Sequence, residues 1–179
     1  MTNIYFGAGL FTQGDREFNG RVVERIRGAE LGEVYSPAEN MSINNKAHYA
    51  SGVDIFRADN DHLENSDILI AVLDGDVIDA GLACEVGYFA RMAETDNEPR
   101  MIIGLLTDIR QGNATNEKIE ALEELAESPF LYVNTYVTGA IKSNGTIVDS
   151  VPELIDEIAR FNVERGPSNF DDYFDVFDE

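Results

Sequence analysis

The sequence predicts a single α/β domain: a three-layer sandwich built around a five-stranded, mainly parallel sheet. Three observations carry that prediction. Short apolar runs alternate with amphipathic stretches along the chain, the pattern of strands joined by crossover helices. The run Leu69-Ile70-Ala71-Val72-Leu73 has no polar break, as suits a strand buried on both faces. It gives way to an acidic, glycine-containing turn over 74–79 and then to a helix whose apolar stripe is Leu82, Val86, Phe89 and Ala93. In an open α/β sheet, such a strand, loop and helix build a ligand crevice at the carboxyl end of the strand.

Taken in order, Asn3-Ile4-Tyr5-Phe6-Gly7 reads as the first strand, and Gly7-Ala8-Gly9 turns the chain into a helix over 15–31 with Phe18, Val22 and Ile26 inward. The Gly-Ala-Gly turn lacks the third glycine of a dinucleotide fingerprint, because Thr12 stands there, so a tight turn beside a ligand is the better account. Glu33-Val34-Tyr35-Ser36 is a short second strand stopped by Pro37. Residues 38–52 form a long polar connection of the kind that often binds ligands. A helix over 53–65 leads into the central strand.

Beyond the central helix, 100–106 reads as a fourth strand and 116–127 as a helix. The pattern leaves two readings open next: a strand over 130–137 or a helix over 133–142. Residues 145–149 make the fifth strand. Ser150, Pro152 and Glu153 then carry the signature of a capping box opening a helix, with Leu154, Ile155, Ile158 and Phe161 as its buried face. The tail over 166–179 is acidic and aromatic, and is expected to dock on its own domain or a neighbour. The 179 residues thus read as one domain with a docking tail.

The net charge of −21 argues against nucleic acid or an anionic membrane as partner. Positive charge sits mostly on arginine, lysine being limited to Lys46, Lys118 and Lys142. Self-repulsion on this scale is best tolerated where salt screens it, so a salt-rich cytoplasm is expected. Met1-Thr2-Asn3 leads directly into a strand without a signal core, and no apolar run approaches a membrane span, which again points to the cytoplasm. Cys84 is the single cysteine, which excludes an intrachain disulfide and a cysteine zinc site.

Glu85 is the residue that most needs a reason. It lies about one turn into the central helix, near the positive end of the dipole, which is expected to favour its ionised form. Its neighbours Gly81, Ala83, Cys84 and Val86 are small or apolar, so the carboxylate can face a crevice or simply decorate a first turn. His48 and His62 sit in polar surroundings and read as surface residues, which leaves no Ser-His-Asp constellation. Asp74, Asp76 and Asp79 do not match a calcium-loop spacing, and no metal or cofactor is expected. What remains is a pair of carboxylates with different tasks. Glu85 would attack an anomeric carbon, and Asp79 would handle the leaving group's proton, since close carboxylates push one pKa of a pair upward, as suits a general acid.

Ile4-Tyr5-Phe6-Gly7-Ala8-Gly9 and Asp79-Ala80-Gly81-Leu82-Ala83-Cys84-Glu85-Val86-Gly87-Tyr88 resemble the nucleoside 2-deoxyribosyltransferase family, as do Asp59-Asn60-Asp61 and Asn134 in their order and spacing. The resemblance covers residue 4 to about 134, and more loosely the last helix and tail. It implies a flavodoxin/Rossmann-like fold and a double displacement. The glutamate matching Glu85 attacks C1′ of a 2′-deoxynucleoside, releases the base and forms a covalent deoxyribosyl ester that a second base resolves. Tyr5 would orient that nucleophile, Asp79 and Asp59 would bind the base and manage its proton, and Gly7 and Gly81 would line the site. Asn134 would contact the sugar 5′-hydroxyl of a neighbouring subunit in a homo-oligomer with shared sites, and Tyr173 of the tail would help close the pocket. Substrates would be 2′-deoxynucleosides and free nucleobases. Met41 stands where family members often carry a base-contacting glutamine, and 111–130 aligns poorly.

Two rivals share the pocket: a deoxynucleoside 5′-monophosphate N-glycosidase, and a non-catalytic nucleoside sensor. The first tends to carry a phosphate-binding serine where this chain has Asp79, which would repel a phosphate.

Overall fold

The computed structural model describes residues 1–40, 51–108 and 133–166. Within them, five parallel strands form one sheet: β1 (Asn3–Gly7), β2 (Glu33–Tyr35), β3 (Ile68–Val72), β4 (Met101–Leu105) and β5 (Gly145–Val148), in the order β2-β1-β3-β4-β5. The described helices are α1 (Gln13–Gly28), α2 (Gly52–Glu64), α3 (Ala80–Thr95), α4 (Thr135–Ser143) and α5 (Val151–Arg165). The sheet is wholly parallel. Chain order reverses between β1 and β3, so the crevice of an open α/β sheet lies at their carboxyl ends.

Alternation along β1 sorts the core into two layers. Ile4 and Phe6 point to one face, where Val22, Val23 and Ile26 of α1 and Leu154, Ile158 and Phe161 of α5 pack. Tyr5 points to the other, with Leu69 of β3, Ile102 of β4, Leu63 of α2, Val86 and Phe89 of α3, and Ile141 of α4. Every residue of β3 is buried, which accounts for its unbroken apolar sequence. Phe89 is fully buried, and its truncation to alanine would cost about 3–5 kcal/mol.

The ends of several elements differ from the sequence pattern for identifiable reasons. Thr12 caps α1 by accepting from the Asp15 amide at 3.0 Å, while Asp15 accepts from the Thr12 amide at 3.2 Å, so the helix starts at Gln13. It stops at Gly28 because Glu30 adopts a left-handed φ of 55°. Ser51 and Asp54 form a second such box at α2. The box expected at Ser150 does not form: the Ser150 side chain makes no capping bond, and α5 opens with Pro152 in its first turn. Residues 135–143 are helical, with Val137, Thr138 and Ile141 on the buried stripe, which discards the strand reading of that segment. The expectations placed on Met41, on His48, on the helix over 116–127 and on tail residues 167–179 lie outside the described residues.

Candidate active site

Tyr5 and Tyr35 are register partners on adjacent strands, and so project from the same face of the sheet. Above them lie α2, carrying Asp59, and α3, carrying Glu85. The Tyr5 hydroxyl donates to Oε1 of Glu85 at 2.8 Å. Tyr5 itself is fully buried, so its ring is held by the core and delivers the hydroxyl to a fixed point. A Cβ on Gly7 would lie 2.6 Å from Cδ1 of Leu82 and 3.1 Å from Oε2 of Glu85, so glycine is what lets α3 bring its carboxylate over the end of β1. The turn Gly-Ala-Gly is thus a close approach to a carboxylate.

Glu85 is half-buried, and its pKa is pushed up to about 7, chiefly by burial. The Tyr5 bond opposes that rise, and the charges of Asp59 and Asp79 add to it. Burial therefore outweighs the helix dipole, contrary to the expectation from position alone that the ionised form is favoured. Asp59 is also raised by burial, against the lowering effects of a Tyr35 hydrogen bond and the His62 charge. The Tyr5 phenol is held well above its usual range by burial and by the Glu85 charge, so it remains a donor.

Asp79 is the N-cap of α3. Its Oδ1 accepts from the Leu82 amide at 3.1 Å, and a Cβ on Gly81 would sit 3.0 Å from that same oxygen. Asp79 also lines a cleft of about 460 Å³ between the loops after β1 and β3, together with Gly9, Phe11, Thr12, Asp15 and Asp74. The cleft reaches Asp79 and stops short of Glu85. Asp74 has a structural occupation, accepting from the Thr107 amide and hydroxyl at 2.6 Å each, which ties the β3 end to the β4 end. Among the described residues no cluster of three or more His, Cys, Asp or Glu side chains is arranged to hold a metal ion.

The structure thus brings Tyr5, Gly7, Asp59, Glu85 and, at the cleft edge, Asp79 to one end of the sheet. Asn134 stands elsewhere: it is exposed and caps α4, its Oδ1 accepting from the amides of Tyr136 at 3.0 Å and Val137 at 3.4 Å. Tyr173 lies outside the described residues. Three residues of the site escaped the reading of the sequence. Tyr35 donates to Oδ1 of Asp59 at 3.3 Å, Asn40 donates to the Tyr35 hydroxyl at 3.0 Å, and His62 stacks on the Tyr35 ring. The available signal was the matched third position of the strands Asn3-Ile4-Tyr5 and Glu33-Val34-Tyr35, which register turns into neighbours.

Comparison with known proteins places this chain in a family. A solved structure of a conserved protein from Enterococcus faecalis V583 shares 41% identity at a TM-score of 0.76, covering 90% of this chain and 99% of that one. A 2-deoxyribosyltransferase from Bacillus psychrosaccharolyticus matches at 16% identity and a TM-score of 0.56, covering 86% of this chain and 90% of its own. A 2-desoxiribosyltransferase from Leishmania mexicana matches at 19% identity and a TM-score of 0.56, covering 90% and 97%. These last two show the shared fold. No curated protein sequence matches. The family model described as nucleoside 2-deoxyribosyltransferase matches residues 4–126, a span that holds Tyr5, Asp59, Asp79 and Glu85 and ends before Asn134. The chain belongs to the nucleoside 2-deoxyribosyltransferase family.

Proposed function

We propose that this protein transfers the 2-deoxyribosyl group between nucleobases by double displacement, with Glu85 as nucleophile. The observation that carries the reading is the Tyr5–Glu85 bond of 2.8 Å, made to a carboxylate that only Gly7 allows so close to β1. Tyr5 holds Oε1, which leaves Oε2 as the attacking oxygen. In the first half-reaction Oε2 bonds to C1′ and the bond from C1′ to the base nitrogen breaks, its electron pair leaving with the base. Protonation of the base as it leaves falls to Asp59 and Asp79. Burial raises the Asp59 pKa, the direction that suits a carboxyl handling a proton. The second base reverses these steps on the same face, so configuration is retained.

Glu85 acts ionised, and with a pKa of about 7 it is about half ionised at neutral pH. Its weak desolvated solvation is an advantage for attack once the proton has gone. The missing 2′-hydroxyl lowers the cost of the oxocarbenium-like transition state, and a tight pocket excludes ribonucleosides by bulk. The reading extends to a homo-oligomer in which Asn134 reaches the sugar of a neighbouring subunit and Tyr173 closes the pocket. Among the described residues no helix is long and apolar enough to cross a membrane. The net charge of −21 disfavours polyanionic partners, and the substrates in this reading are small molecules, deoxynucleosides and free bases, met in the cytoplasm.

Incubation with deoxyinosine and adenine, followed by chromatography, tests the reading. New deoxyadenosine is the expected product. Hypoxanthine release alone would make the protein a hydrolase, and neither product would make it a binder. Glu85→Ala should abolish exchange and leave the fold intact; undiminished exchange in that variant would remove the mechanism.

A further inference from the structure

Tyr35 is held on every side that the described residues offer. Its ring tilts against Tyr5, with centroids 5.4 Å apart at 45°, and stacks on His62 at 3.5 Å and 12°. Its hydroxyl accepts from Nδ2 of Asn40 at 3.0 Å and donates to Oδ1 of Asp59 at 3.3 Å. A phenol oxygen that accepts from an amide has its own proton free to point elsewhere, and here the acceptor in reach is Asp59. Asp59 and His62 are three residues apart on α2, so one helix face presents both the carboxylate and the ring that fixes its donor. A tyrosine that only filled the core at half-burial would leave its hydroxyl to water.

We propose that Tyr35 is the positioning residue of Asp59: with its ring fixed by Tyr5 and His62 and its hydroxyl fixed by Asn40, it holds the Asp59 carboxylate in the orientation that meets the nucleobase. The inference rests on the reading of Asp59 as a base-contacting group. The titratable groups facing Asp59 are Tyr5 from β1, Tyr35 from β2, Glu85 from α3 and His62 from its own helix. Burial works toward protonation of Asp59, and the Tyr35 bond with the His62 charge works against it, while the Asp59 charge in turn raises Glu85. Tyr35 therefore sets both the direction of the carboxylate and how readily it gives up its proton.

Tyr35→Phe keeps the ring contacts and removes only the hydroxyl. Titration of the Asp59 carboxyl by carbon-13 NMR needs no substrate, and should move upward by about one pH unit in this variant. In exchange assays the KM for the acceptor base should rise about tenfold while kcat changes less than about threefold, a split that a general loss of packing does not produce. An Asp59 titration unchanged by Tyr35→Phe overturns the proposal, as does an unchanged acceptor KM. If the parent protein shows no transfer, the function reading fails and the NMR titration still decides the role of Tyr35. Should Tyr35→Phe not fold, Asn40→Ala, which releases the hydroxyl and keeps the ring, is read against the same outcomes.

Discussion

Oε1 of Glu85 receives the hydroxyl proton of Tyr5 at 2.8 Å across 80 positions of sequence. The donor belongs to a strand and the acceptor to a helix, both rigid, so the contact is set by the fold and not by a loop. In its proposed role as nucleophile, a carboxylate on such a mount would lose little freedom when substrate arrives. Its chemical consequence is a pull on Glu85 toward ionisation, against the burial that keeps the carboxyl near neutral pH.

Tyr5→Phe removes that pull. The core ring is preserved, so the melting temperature should change by only a few degrees. A hydrogen bond to a charged group is worth about 1.5–3 kcal/mol, so exchange at neutral pH should fall roughly tenfold to a hundredfold. The loss should be greater at acid pH than at alkaline pH, because the Glu85 pKa rises further without its donor. A uniform loss at all pH values would show that Tyr5 acts only by packing.

Glu85→Gln tests the burial argument through stability alone. The folded-state pKa of Glu85 is about 7, above its unfolded value of about 4.3. The group therefore favours the folded state below the unfolded pKa, where it is protonated in both states. That advantage is lost as pH rises through the folded pKa. Because Glu85 is partly solvated, the penalty above pH 7 is discounted to about 1–2 kcal/mol. Glu85→Gln should be close to the parent in stability below about pH 4.5, and progressively more stable up to about pH 7, with no further gain beyond. Urea denaturation at several pH values reads this directly, and a pH-independent difference would contradict it.

Much of the fold was written in local pattern. The all-buried β3, the glycine turns and the apolar stripes of α1, α3 and α5 follow from periodicity, which reflects burial on each face. Glu85 stood out because its neighbours are small, and Tyr5 and Asp59 came through family resemblance. What was not legible depends on register and packing. Tyr35 enters the site because it pairs with Tyr5, and His62, though exposed, enters because α2 lays its ring on Tyr35. The sign of the Glu85 shift was also hidden, since a dipole can be read from position but a desolvation cost needs the neighbours on α2 and β1. Ser150 failed as a capping box because motif and geometry are separate conditions, while Thr12 with Asp15 met both.

Asn134 has a local task that can be separated from its proposed one. Its Oδ1 caps α4, so Asn134→Ala should cost about 1 kcal/mol in unfolding free energy whether or not the residue meets substrate. Asn134→Asp retains an acceptor for the Tyr136 and Val137 amides and removes the donating amide group. If Asn134 donates to a sugar hydroxyl in a neighbouring subunit, Asn134→Asp should keep its melting temperature and lose about tenfold or more in kcat/KM for deoxyinosine. Full activity in that variant would restrict Asn134 to the cap.

Discrimination against phosphate is predicted from how α1 begins. A helix N-terminus beside a cleft normally attracts anions, through its dipole and its unpaired amides. Here the end of α1 opens on the cleft, but Thr12 and Asp15 already close a reciprocal capping box there, and Asp15 supplies the negative charge itself. Asp74 and Asp79 line the same cleft, so a phosphate entering it would meet three carboxylates. Deoxyinosine should therefore be preferred over its 5′-monophosphate by about a hundredfold or more in kcat/KM, a difference of roughly 2.7 kcal/mol. Asp15→Asn keeps the side-chain shape and a capping acceptor while removing one charge. It should narrow that preference several-fold and leave exchange with the free nucleoside close to the parent, and raising the salt concentration should narrow the preference further. Equal use of the two substrates by the parent protein would show that the cleft does not receive the 5′ end of the sugar.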